Sequence, residues 1–159
     1  MNGEPKFLTD ASLGGLAKWL RILGFNAAVY HPKTGGDMMR LALETGRILL
    51  TRRADLQNRP FSGRIVLVPS EETSKQLAFV VESLSLKIMP EKFFTVCLLC
   101  NEILLPVSRE DVKHLVPQYI YETCLSFHKC RTCGKIFWSG THLRNMMTFL
   151  KIHGLFGMA

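Results

Sequence analysis

Two cysteine pairs, Cys97 and Cys100 in "CLLC" and Cys130 and Cys133 in "CRTC", have 29 residues between them. A CxxC turn carries two thiolates to one ion, each sulfur about 2.3 Å from a zinc. Two such turns complete a closed tetrahedron of four thiolates, which is structural because no coordination position stays open. Any fold of this chain therefore has to bring residues 97–100 and 130–133 together. A thioredoxin-like redox CxxC would follow a strand and open a helix, and neither pair is flanked that way. Cys124 and His128 compete as ligands, but four cysteines already satisfy the ion, and Cys124 reads as a small buried hydrophobe.

All five cysteines lie after residue 96. The N-terminal "MNGEPKFLTD" lacks the apolar core of a secretion signal, and in such a chain clustered cysteines favour metal over disulfides. No run approaches the roughly 18 apolar residues of a membrane span. The expectation is a cytoplasmic protein in two parts, residues 1–90 and 91–159, with Pro90 in "KIMPEKF" as the hinge.

The first part alternates short apolar runs with amphipathic ones. "KFLTD", "NAAVYH", "RILLT" and "RIVLVP" read as strands. "SLGGLAKWLRILG", "GDMMRLALETG" and "SEETSKQLAFVVESLSL" read as helices, the last with Thr73 and Gln76 as a capping box. This alternation predicts an α/β fold, a parallel sheet flanked by helices. The second part carries the cysteines, a β-like "KIFW" and a final helix, "THLRNMMTFLKIH", whose stripe is Leu143, Met146, Met147 and Leu150.

The net charge of +7 favours a polyanionic partner, with nucleic acid foremost. The excess is spread along the chain: 13 basic against 9 acidic residues up to Val96, and 7 against 4 after it. There is no basic tail. Dinucleotide, P-loop and GxSxG signatures are absent. Asp10 ends the first strand and precedes the first helix, a position suited equally to a helix cap and to catalysis. Asp37, Asp55, Glu71 and Glu72 also fall near strand ends. Carboxylates gathered at one sheet edge repel unless a divalent ion neutralises them, the arrangement of a metal-dependent phosphodiesterase.

"FLTDASLGGLAKWLRILGFN", "GRILLTRRADL" and "CLLCNEIL…FHKCRTCGKIFWSGTHLRNM" together resemble the Mut-seven C-terminal ribonuclease domain family over roughly residues 6 to 147. The resemblance implies a PIN-like nuclease fold followed by a zinc ribbon. It also implies an endoribonuclease dependent on magnesium or manganese (Mg²⁺ or Mn²⁺). Asp10 matches the family's first acid and Asp37 falls near its second. The third should directly follow "LLTR", where this chain has Arg53. An arginine there changes local charge by two units, each worth roughly 3 kcal/mol per unit of cation charge at about 5 Å. Asp55 is the available substitute, and Arg53 is suited to holding a phosphate oxygen.

The expected ribonuclease thus has Asp10, Asp37 and Asp55 as catalytic acids, and Lys18, Arg21 and Arg53 as substrate-binding residues. Cys97, Cys100, Cys130 and Cys133 are its zinc ligands. In the ribbon, Phe137, Trp138 and His142 beside Lys135 and Arg144 form a mixture suited to single-stranded RNA. Two rival readings stay open: a catalytically inactive RNA- or protein-binding module with a degraded site, and a zinc-stapled interaction domain without nucleic acid. An antitoxin-like protein partner enters by fold analogy alone.

Overall fold

A computed structural model describes residues 3–31, 35–69 and 71–156. Four parallel strands form the main sheet: β1 (Lys6–Asp10), β2 (Asn26–Tyr30), β3 (Ile48–Thr51) and β4 (Ile65–Leu67). Their order is β2-β1-β3-β4. Helices α1 (Gly14–Ile22), α2 (Gly35–Glu44) and α3 (Thr73–Ser83) connect or follow them. The expected alternation of strand and helix is therefore the observed one, and the fold is α/β with helices covering both faces.

Successive strand residues point to opposite faces, and the two core clusters divide accordingly. Phe7 and Leu50 pack with Leu16, Leu20 and Leu77 on the side of α1 and α3. Their neighbours Leu8 and Leu49 pack with Met38, Met39, Ala42 and Leu56 on the side of α2. The apolar strands are thus buried on both sides, as parallel strands are.

The second part holds a three-stranded antiparallel sheet, β5 (Leu105–Val107), β6 (Phe127–Lys129) and β7 (Ile136–Trp138), in that order. A short helix, α4 (Gln118–Thr123), precedes β6, and α5 (Thr141–Ile152) ends the described chain's regular structure. With the four-cysteine cluster, this is the arrangement of a zinc ribbon. The core does not stop at residue 90. Phe93, and Met146 and Leu150 from the expected stripe of α5, belong to the same cluster as Phe7 and Leu20. Among the described residues no helix is long and apolar enough to cross a membrane.

Two local details correct or extend the sequence reading. The capping box of Thr73 and Gln76 does not form. Glu72 occupies the N-cap position, and Thr73 is the first helical residue. Thr73 instead faces Gly15: a Cβ on that glycine would stand 3.1 Å from Thr73 Oγ1. The second glycine of "LGGL" therefore lets α1 approach the start of α3.

Gly24 ends α1 in the left-handed region, with φ +93°. Phe25 N–H returns to Leu20 C=O at 2.9 Å, the long-range bond of a Schellman ending. The segment leading into the ribbon crosses this turn closely, and Phe94 N–H donates to Ile22 C=O at 2.9 Å. A Cβ on Gly24 would lie 2.4 Å from the Lys92 carbonyl oxygen. Gly24→Ala combines an unfavourable φ with a backbone clash, and it should cost about 2 kcal/mol or more in urea unfolding. A midpoint equal to that of the parent chain would show that the crossing is loose.

Candidate functional site

The chain leaves β1 toward β2 on one side and returns to β3 on the other. The carboxyl ends of β1 and β3 therefore flank the topological switch point, where open α/β sheets bind ligands. Asp10 and Thr51 are the last residues of those strands, and Thr51 Oγ1 donates to Asp10 Oδ2 at 2.9 Å. Asp10 Oδ1 accepts the Ser12 N–H at 3.0 Å and also the Ser12 hydroxyl. Asp10 thus caps the turn at 11–13 and stands beside the switch point. Its partners are neutral, and among the described residues no cation pairs with it.

The other acids have cationic company. Asp55 is clasped by Arg53, with Nη2 to Oδ2 at 2.8 Å and Nε to Oδ1 at 3.3 Å, and Arg59 approaches at 3.7 Å. The Arg53 hydrogen bond and charge hold the Asp55 carboxyl below the ordinary aspartate range. Asp37 lies in the first turn of α2, 3.8 Å from Arg40. Glu71 accepts from Arg52 at 3.1 Å, and Glu72 lies 3.2 Å from Lys75.

Asp10, Asp37 and Asp55 do not gather closely enough to share an ion. Among the described residues, the cysteines are the one group of three or more such side chains close enough to share an ion. A divalent ion held in advance by three carboxylates does not fit this donor set. Arg53 occupies the position after "LLTR" and turns its guanidinium onto Asp55, while its own N–H donates to Thr51 Oγ1 at 3.1 Å.

Tyr30 was not singled out from sequence, and it belongs to this corner. It is the register partner of Asp10 across β1 and β2, and burial together with the charge of Asp37 pushes its hydroxyl pKa up. Strand register is the signal that would have found it.

Lys18 and Arg21 part company. Lys18 is exposed and lines a groove against the ribbon. Arg21 is half-buried, donating from Nε to Ala27 C=O at 2.8 Å and from Nη1 to Leu98 C=O at 2.7 Å. Ala27 pairs with Phe7, three residues before Asp10 and so about 10 Å down the strand. Those two donors tie the first cysteine turn to β2, away from the carboxyl edge.

The cysteine cluster fits zinc. The four Sγ atoms lie within 4.8 Å of one another, Cys97 and Cys133 at 3.9 Å. A tetrahedron with zinc–sulfur bonds of about 2.3 Å sets sulfurs about 3.8 Å apart. Backbone N–H groups of Cys133 and Thr132 draw Cys130 down to about 7, while burial pushes Cys100 up to about 12. Arg21 faces Cys97 and Cys100, so its charge offsets theirs, although burial lowers its own pKa. Cys124 is buried with its thiol toward Ser139 C=O at 3.4 Å, and His128 is not in the cluster.

Asn101, directly after the first turn, adopts φ +62°. Its Oδ1 accepts the Ala27 N–H at 2.8 Å and its Nδ2 donates to Asn26 Oδ1 at 2.7 Å. Asn26 in turn accepts from Arg47, which also donates to Phe7 C=O at 3.0 Å.

An open α/β sheet with a carboxylate at its switch point and a four-cysteine ribbon docked on its edge defines the class of protein. The model of one family, the Mut7-C RNAse domain, matches residues 5–150, and the chain belongs to that family. No curated protein and no solved structure matches it.

Two measurements check this architecture. Cys100→Ser should bind well under one equivalent of zinc by elemental analysis and melt at lower temperature; full zinc content would remove Cys100 from the site. Arg21→Met should cost about 2 kcal/mol in urea, because two part-buried carbonyls lose a charged donor. An unchanged midpoint would mean that those bonds contribute nothing net.

Proposed function

We propose that this protein hydrolyses RNA phosphodiesters at the β1/β3 switch point, with Asp10 as the acting carboxylate. The observation that carries this reading is the Asp10–Thr51 hydrogen bond. It fixes one carboxylate, unpaired with any described cation, where this class of sheet binds its ligands. Membership of a ribonuclease domain family supplies the substrate class, and the +7 charge suits a polyanion.

The edge around Asp10 is rich in arginine. Arg52 and Arg53 present guanidinium groups whose carboxylate partners are exposed, Glu71 at 87% and Asp55 at 54%. Exposed pairs of this kind are weak, so an incoming phosphate can exchange for them. Arginine is well matched to phosphate oxygens, which it contacts in bidentate fashion. Thr51 and Ser12 orient the Asp10 carboxylate through hydrogen bonds to its two oxygens.

Magnesium is commonly bound through one or two carboxylates together with substrate phosphates. Asp10 alone is sufficient protein for an ion of that kind, either Mg²⁺ or Mn²⁺, arriving with RNA. Once bound, such an ion lowers the pKa of water and offsets charge on the phosphate. Binding of the ion should accordingly depend on RNA. A second reading, RNA binding without cleavage, is favoured by the Arg53–Asp55 clasp, which takes a carboxylate out of the site.

The test uses end-labelled single-stranded RNA, with manganese or with EDTA. The parent chain should cleave only with manganese, and Asp10→Asn should lower the rate at least about 100-fold. Arg53→Asp, which restores an acid and releases Asp55, should raise it. RNA that stays intact in every lane yet shifts in mobility would establish the binding reading. RNA that neither shifts nor breaks would sink both.

A further inference from the structure

A groove of 540 Å³ opens between α1, β7 and α5, away from the residues that hold Asp10. Its volume is in the range of pockets that take small organic ligands. Five aromatic side chains line it: Trp19 from α1, Phe94 from the segment leading into the ribbon, Phe137 and Trp138 from β7, and Phe149 from α5. Trp19 and Phe149 are already stacked, with ring centroids 4.2 Å apart and planes 19° from parallel. Three basic or titratable side chains, Lys18, Lys135 and His142, are also on the lining, all three exposed. Among the described residues no acidic side chain lines the groove.

Flat apolar walls with a cationic rim and no carboxylate suit one kind of occupant. A nucleobase stacks on aromatic rings whatever its identity, and its phosphate pairs with the cations beside it. An acidic peptide would satisfy the cations but offers little to the stacked rings. A neutral apolar ligand would leave the lysines without a partner. The geometry points to a base-binding pocket for single-stranded RNA, in which a nucleotide stacks within the aromatic groove and Lys18 and Lys135 hold its backbone.

This inference rests on the RNA reading above and deepens it. Asp10 precedes α1 and Lys18 lies within it. The intervening turn and helix span only about 13 Å. One RNA strand can therefore lie along α1 with a phosphodiester at the switch point and a base in the groove. The ribbon then has a second role beyond stapling, since β7 and α5 close the pocket that α1 opens.

The chain contains two tryptophans, and both line this groove. Intrinsic fluorescence therefore reports on it directly. The zinc-loaded protein is titrated in EDTA-free buffer without manganese or magnesium. The probes are an end-labelled oligoadenylate and an abasic phosphodiester oligomer of the same length. Label anisotropy records any binding, and tryptophan emission records occupation of the groove.

The expected result is saturable quenching by oligoadenylate in step with its anisotropy. The abasic oligomer should bind more weakly and leave the emission unchanged. The double variant Lys135→Glu, His142→Ala changes exposed side chains only, and it should weaken oligoadenylate binding about 10-fold at an unchanged melting temperature. Anisotropy that rises without quenching, or equal binding of the two oligomers, would overturn the pocket and leave the RNA reading standing. No anisotropy change with either oligomer would overturn both.

Discussion

The contact on which the rest of this structure depends is between the first cysteine turn and the open edge of the parallel sheet. β2 is an edge strand, and an unpaired edge leaves backbone donors and acceptors exposed to adventitious pairing. Here Ala27 gives its N–H to Asn101 and its C=O to Arg21, so side chains take the place of a fifth strand. Asn101 can do this because it stands in the left-handed region immediately after Cys100, a conformation asparagine tolerates better than most residues. Arg21 completes the clasp by also holding Leu98 C=O inside the same CxxC turn. The metal site thus fixes the turn, and the turn closes the sheet.

At the carboxyl edge the acids differ in the company they keep. Asp10 keeps neutral partners, whereas each neighbouring acid lies beside a lysine or arginine. Arg53, directly after the strand, binds Asp55 into an ion pair. Because that pair is exposed, it is a weak one.

Much of this was legible in the sequence because it is local. Two thiolates in one turn are recognisable from four residues, and strand and helix periods from ten. The Cys97, Cys100, Cys130 and Cys133 set and the succession of the first four strands along the chain follow from such patterns. What was not legible depends on contacts between distant segments. Arg21 looked like a partner for the carboxyl edge because it follows Lys18 on the helix, but a carbonyl 77 residues away claims it. Thr73 looked like a cap, and close packing against Gly15 gave it other company. Tyr30 joined the site through register alone. The Arg53–Asp55 pair required knowing that the chain turns immediately after β3.

One helix ties these features together. The turn before α1 carries Asp10 and Ser12 at the switch point, and α1 itself presents Lys18 and Trp19 to the groove and Arg21 to the cysteine turn. Its buried face, Leu16, Ala17 and Leu20, lies in a core that also contains Met146 and Leu150 of α5. A displacement of α1 would therefore disturb all three sites at once. Close-packed interiors transmit such displacements rather than absorb them. The ribbon, which holds α1 from the side through Leu98 and from above through α5, is on this account part of what positions Asp10.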